Sequence, residues 1–209
     1  KRVCDEISRR GIIDVLRKGF KDLGSHFQLV YFEPKSGLNP DHQKLFEQNR
    51  FVVVRQLHFS PKNENSIDVS LFLNGIPLIT MELKNNLTNQ TIVDSEKQYR
   101  NRDTKELLLQ FKRCIVHFCV DNDKVSMTTR LMGSKTKFLP YNKGIENPIN
   151  PEGHKTHYLW EEVLQPNSIL DILENFVHVS IEIEKEYDEK QGKVVDKKKE
   201  FLIFPRYHQ

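Results

Sequence analysis

Apolar and polar residues alternate along two neighbouring stretches, Ile67 to Leu73 and Pro77 to Leu83, with Asn74-Gly75 between them. Period-two alternation marks strands, and an Asn-Gly pair tolerates positive φ at both positions, so the pattern predicts a β-hairpin. Upstream the period lengthens. Val3, Ile7, Ile12, Val15, Leu16 and Leu23 recur at roughly helical spacing, with Gly11 and Gly19 as weak points and Gly24 as a C-cap. Phe27 to Phe32 reads as a short strand, Pro34 to Pro40 as a loop, Asp41 to Gln48 as a short helix, and the β-branched run Phe51 to Leu57 as a strand. Downstream, Ser95 to Phe111 reads as helix, and Cys114 to Val120 with Val125 to Leu131 as a strand pair about Asp121-Asn122-Asp123. Gly133 to Gly153 is a long loop rich in Gly, Pro and Asn. Helices resume at Tyr158 to Leu164, where Trp160 is assigned to core packing, and at Ile169 to Phe176, capped by Asn167 or Ser168. Val177, Val179, Ile181 and Ile183 alternate with His178, Ser180, Glu182 and Glu184, and Gln191-Gly192 turns the chain back through Val194 and Val195. This order predicts an α/β (α+β) fold: a mixed β-sheet flanked by helices, with an additional charged C-terminal β-hairpin.

The register of the first hairpin carries the functional argument. Facing residues have position numbers with a constant sum, and changing that sum by one sends a strand's side chains to the other face. An even sum collects Val69, Leu71, Leu73, Ile79, Met81 and Leu83 on an apolar face, and Asp68, Ser70, Phe72, Leu78, Thr80, Glu82 and Lys84 on the other. An odd sum, as in a plain two-residue turn, mixes charge with core on both faces. Burying an unpaired charge costs several kcal/mol, so the pattern favours the even register, reached by a longer loop or by a bulge near Pro77.

Asp68 and Glu82 then lie nearly opposite one another. Opposed like charges on a sheet are unfavourable unless something binds between them, and cross-strand spacings of about 5 Å suit two carboxylates sharing a divalent cation. Lys84 projects on the same face, where an ammonium can offset charge developing on a phosphoryl group. Leu83, between them, is expected to point into the core and to leave its backbone carbonyl as a further oxygen ligand. Mg²⁺, with Mn²⁺ as a substitute, suits such an oxygen set and assists attack of water on a phosphodiester.

Composition bounds this reading without sharpening it. The 209 residues allow one sizeable core, and 32 Lys+Arg against 29 Asp+Glu leave a net charge of only +3, so affinity for nucleic acid has to come from local clustering. No apolar run approaches the roughly 20 residues that span a bilayer, so no membrane partner is expected. The three cysteines, Cys4, Cys114 and Cys119, form no C-x-x-C pair and fit a reducing, cytoplasmic setting, and no signal peptide is evident. His154 and His157 lack the further ligands of a zinc site.

The segments Ser66-Ile67-Asp68, Asn74-Gly75-Ile76-Pro77-Leu78 and Glu82-Leu83-Lys84-Asn85 resemble the PD-(D/E)xK nuclease core of type I restriction enzyme R subunits. Glu96 to Arg100, Phe111 to Phe118, Met127 to Leu131, Tyr158 to Leu164 and Phe204 to Gln209 are similar to that family too, so the likeness covers most of the chain from about Phe51 onward. The resemblance implies a nuclease domain over 1–176. Residues 177–209 would form a hairpin and a connection to helicase-like motor domains. It also implies Asp68, Glu82 and Lys84 as catalytic residues, Asp68, Glu82 and the Leu83 carbonyl as metal ligands, and Mg²⁺ as cofactor. ATP is implied only in the intact subunit. The implied partners are double-stranded DNA and the methyltransferase and specificity subunits of a restriction complex. The family's Q-x-x-x-Y helix is met only in part, because Arg102 follows Gln98 at that offset and Tyr99 is adjacent; Gln98 and Tyr99 are supporting candidates.

Lys97, Arg100, Arg102, Lys105, Lys112 and Arg113 outnumber the acids of the same segment and are candidates for tracking DNA phosphates, with a solvated helix face as the commoner alternative. Lys135, Lys137 and Lys143 are weaker candidates. Glu6 and Glu47, acids on helices ahead of the core, are not selected. Two other readings stand beside the nuclease: a non-catalytic module that docks DNA or a subunit, and a stand-alone repair nuclease with the same core.

Overall fold

A computed structural model describes residues 1–37, 39–188 and 193–207. Helices α1 (Arg2–Arg10) and α2 (Ile12–Lys18) lead into a small hairpin of β1 (Phe20–Asp22) and β2 (Ser25–Phe27). Gly19 ends α2 with φ 61°, where a Cβ would lie 2.2 Å from the Phe27 carbonyl oxygen, so the chain can only pass with a glycine. Gly24 is therefore a turn residue of this hairpin and not a helix cap. Pairing stops at Phe27, and the expected strand to Phe32 is irregular chain. Helix α3 (Pro40–Glu47) begins as helix termini commonly do, with Asn39 accepting the Asp41 N–H at 3.0 Å and Pro40 in the first turn.

The central sheet has six strands in chain order: β3 (Phe51–His58), β4 (Ser66–Leu73), β5 (Ile76–Leu83), β6 (Val116–Val120), β7 (Val125–Thr128) and β8 (Leu139–Pro140). Only β5 and β6 run parallel, which demands a crossover. Helix α4 (Ile92–Asn101) supplies it and packs on both strands. A capping box of Thr91 and Asp94 starts α4, and Asp121, at the end of β6, accepts the Ile92 N–H at 2.9 Å. The helix stops at Asn101, ten residues short of the expected Phe111, because Arg102 turns to extended backbone; Leu107–Leu109 form a separate 3₁₀ turn.

Both faces of the sheet are covered. On one, Leu71, Leu73, Ile79, Val116, Phe118 and Met127 pack with Ile12, Val15 and Leu16 of α2 and with Tyr158 and Leu159. The other carries Thr80, Glu82, His117 and Cys119 beneath α4, beside a smaller cluster of Ile67, Tyr99, Leu108, Leu109, Cys114 and Leu131. A π-helical turn at Leu159–Val163 precedes α5 (Pro166–Asp171), which opens on Pro166 with Gln165 as its N-cap, upstream of the expected Asn167 or Ser168. Trp160 is 43% exposed, correcting its assignment to the core.

Strands β9 (His178–Asp188) and β10 (Lys193–Ile203) form the C-terminal hairpin; the expected turn at Gln191-Gly192 lies outside the described residues. Its root is buried through Leu202 and Phe204, while Ile181, Ile183, Tyr187 and Val194 are exposed farther out. Among the described residues no helix is long and apolar enough to cross a membrane.

Candidate active site

The β4–β5 turn is the two-residue type, with Asn74 at φ 50° and Gly75 at φ 82°. By itself that turn sets the odd register, and Leu73 faces Ile76 and Phe72 faces Pro77 accordingly. Then the register shifts: Leu71 faces Ile79, Ser70 faces Thr80, and Val69 faces Met81. Leu78 is the extra residue of a bulge beside Pro77, and it converts the odd sum into the even one. Continued along the strands, the shifted register sets Asp68 across from Glu82.

The polar face produced in this way is not wet. Ser70, Thr80 and Glu82 have no exposed surface, with α4 packed on β5 over Thr80 and Glu82, whereas Leu83, expected in the core, is 43% exposed. The Leu83 peptide still belongs to the site through its N–H, which donates to Asp68 Oδ2 at 2.8 Å. Asp68 Oδ1 accepts from Gln56 Nε2 at 3.1 Å, and Gln56 in turn accepts from the Ser66 hydroxyl at 2.8 Å. Gln56 sits in β3 with φ 49°, an irregularity that the β-branched run around it gave no reason to expect.

Glu82 dominates the electrostatics. Its Oε1 accepts a hydrogen bond from Arg102 Nη2, and its Oε2 is buried with no hydrogen-bond partner. Burial pushes its carboxyl up to about 8; the Arg102 guanidinium opposes that rise and the neighbouring Asp68 carboxylate adds to it. Arg102 also donates to the Ser66 carbonyl at 2.6 Å and lies 5.4 Å from the centre of the Phe59 ring. Ser95 Oγ donates to the Glu82 carbonyl at 2.9 Å, pinning α4 to β5 at this point.

Lys84 is half-buried and donates from Nζ to Gln98 Oε1 at 2.7 Å, so the structure joins these two candidates. Tyr99 is turned inward. Its hydroxyl is 2.7 Å from Thr80 Oγ1, which is 2.7 Å from His117 Nδ1, and all three lie in the floor under Glu82. Tyr99 therefore supports the site from below and has no access to a substrate. Sequence reasoning gave no role to Gln56 or Ser95 here, because each acts through a contact between elements that no local pattern announces.

The basic candidates disperse. Arg100 pairs with Glu96 at 3.0 Å and covers Phe138, Lys112 pairs with Glu200 at 2.8 Å, and Arg113 is buried against Ser8. Arg102 is committed to Glu82. Lys97 and Lys105 remain exposed, as do Lys135 and Lys137, while Lys143 pairs with Glu162. Glu6 is held by Arg9 and Arg10. A cleft of about 420 Å³ opens beside the site between the β3–β4 connection and the end of α4, lined by Glu64, Asn65, Ser66, Gln98, Asn101 and Arg102.

Among the described residues no three His, Cys, Asp or Glu side chains form a metal-binding group. A hard divalent cation that keeps most of its waters needs fewer protein ligands than that. Two carboxylates, one of them with an orphaned buried oxygen, fit such an ion.

The family of the type I restriction enzyme R protein N terminus matches residues 5–135. The chain belongs to this family. No curated protein matches it. The matched span contains β3 to β7 and α4, hence Asp68, Glu82, Lys84, Gln98 and Arg102. Membership makes this the endonuclease domain of type I restriction, and the six-stranded mixed sheet flanked by helices, which the sequence pattern predicts, is consistent with the restriction-endonuclease-like fold that the resemblance implies. It also ties the chain to DNA and to a multi-subunit complex.

Proposed function

We propose that the chain performs Mg²⁺-dependent hydrolysis of phosphodiester bonds in double-stranded DNA, as the cleaving part of a type I restriction enzyme R subunit in the cytoplasm. Asp68 and Glu82, with the Leu83 carbonyl, would hold the cation, and Mn²⁺ would replace it. When bound, such an ion supplies Lewis acidity at the phosphoryl group and eases deprotonation of the attacking water. Asp68 is held at its post by the Leu83 N–H, and Gln98 fixes the Lys84 ammonium on the same side. There the ammonium offsets charge that develops on the phosphoryl oxygens.

The observation that carries this reading is Glu82 Oε2: a fully buried carboxyl oxygen with no hydrogen-bond partner, on a hairpin whose bulge brings Glu82 across from Asp68. An uncompensated polar atom of this kind is costly unless something binds there. Residues 1–176 act as the nuclease unit and 177–209 as the hairpin and connection toward motor domains that hydrolyse ATP, with the methyltransferase and specificity subunits as partners. The test is cleavage by the intact complex carrying Asp68→Ala or Lys84→Ala. The expected result is loss of cleavage with folding and ATP hydrolysis retained; loss of all three together would refute the assignment.

One observation favours a second reading. Arg102 already balances Glu82, as it would if the acids were a salt-bridged support in a module that only docks DNA or a subunit. Calorimetry with Mg²⁺ or Mn²⁺ separates the two, since a docking module shows either no binding or binding that Glu82→Ala leaves unchanged.

A further inference from the structure

We infer that Arg102 is the resident partner of the Glu82 carboxyl, occupying one of its oxygens in place of a divalent ion, and that cation binding requires this guanidinium to leave that oxygen. The inference rests on the metal-dependent reading above and extends it to a residue that the catalytic triad does not include.

Three features of the site support it. First, Arg102 reaches only one of the two Glu82 oxygens, and Oε2 beside it has no hydrogen-bond partner, so the guanidinium occupies part of the site without filling it. Arg102 Nε is likewise buried and unpartnered, an imperfect match between two groups that could have met as a two-pronged pair. Second, Arg102 is held by more than Glu82. Its Nη2 also donates to the Ser66 carbonyl at 2.6 Å and its guanidinium lies 5.4 Å from the centre of the Phe59 ring, so part of its hydrogen bonding and packing is made to groups other than the carboxylate. Third, it has room to move, because Arg102 itself lines the open cleft of about 420 Å³ between Ser66 and Asn101. The backbone favours such a swing: α4 ends at Asn101, and Arg102 stands on extended chain just outside the helix.

A buried carboxylate that releases one cation to accept another binds the second more weakly than a vacant carboxylate would. Arg102 is thus a positioning residue that raises the cation concentration at which the site fills.

Titration calorimetry with Mn²⁺ alone and Mg²⁺ alone, at one pH, on the protein and on Arg102→Gln, Arg102→Lys and Glu82→Ala tests this. Arg102→Gln is expected to bind Mn²⁺ at least about tenfold more tightly than the unaltered protein, and to gain more in melting temperature when Mn²⁺ is added. In the unaltered protein, the side-chain NMR signal of Arg102 is expected to move on Mg²⁺ addition and to stay put in Glu82→Ala. If Arg102→Gln does not fold, Arg102→Lys serves: it keeps the charge but not the planar fork, and should bind Mn²⁺ more tightly than the parent by a smaller factor. Equal or weaker binding by the Arg102 variants, with binding by the parent lost in Glu82→Ala, would overturn the inference and leave the metal site standing. Binding by none of the proteins would remove the metal site and this inference with it.

Discussion

Asp68 accepts the backbone N–H of Leu83 at 2.8 Å, so one acid of the pair is clamped to the strand that carries the other. The clamp uses a carboxylate oxygen that a carboxamide reproduces. Asp68→Asn is therefore expected to keep the hairpin, at a cost of about 1 kcal/mol, while removing the charge needed to hold a cation. Cleavage by the intact complex should fall at least about 100-fold, as when a group that stabilises developing charge is lost. Activity of Asp68→Asn within a fewfold of the parent would remove Asp68 from the site.

Asn74 makes a separate prediction about the hairpin. Glycine also accepts φ 50°, so turn chemistry alone reads Asn74→Gly as neutral. The side chain, however, accepts from the Arg50 N–H at 2.7 Å and donates to the Leu29 carbonyl at 2.8 Å and to Asn49 Oδ1 at 3.0 Å. Losing these ties should destabilise the protein by roughly 1–3 kcal/mol in urea unfolding. An unchanged midpoint would mean that the turn is held by backbone alone.

The hairpin also shows how far the residues could be read in advance. The alternation of Val69, Leu71, Ile79 and Met81 demanded the even register, and the Asn-Gly pair demanded a two-residue turn. Those demands conflict, and the bulge at Leu78 satisfies both. What alternation cannot reveal is a second cover. Nothing in the strands says that α4 buries Thr80 and Glu82. Arg102 follows the same logic. Counted as part of a long basic helix, it looked like a phosphate contact; the helix ends one residue earlier, and a buried acid required it. The long β9–β10 pairing was legible from the alternation of β9 alone, and its register runs without a break from His178 opposite Ile203 to Asp188 opposite Lys193.

His117 should make the fold sensitive to acid. It is buried against Thr80, and burial pushes its imidazole down to about 4. Between about pH 6.5 and 4 the unfolded chain binds a proton that the folded one refuses, so stability is present above that window and is lost as pH falls through it. The shift corresponds to about 3 kcal/mol. His117→Gln should lower stability at pH 7 and flatten its decline between pH 6.5 and 4 in guanidinium unfolding. An equally steep decline in the variant would assign the acid sensitivity elsewhere.

Glu82 should act in the opposite direction. Its carboxyl is held up to about 8, so the folded protein keeps a proton that the unfolded chain releases near the ordinary value of 4.5. Its contribution is complete below about 4.5 and is lost as pH rises through about 8, an effect on the order of a few kcal/mol. A divalent ion selects the ionised form and expels the proton, so Mg²⁺ should restore stability at pH 8.5 and add little at pH 6. Melting temperatures at the two pH values, with and without Mg²⁺, make the comparison, and Glu82→Gln should show neither the pH loss nor the Mg²⁺ rescue. The competing expectation is definite: if the Arg102 pair governs instead of burial, Glu82 is already ionised at pH 6. The melting temperature would then stay level across this range and Mg²⁺ would act equally at both ends, so the slope with pH decides which force sets the charge of this carboxylate.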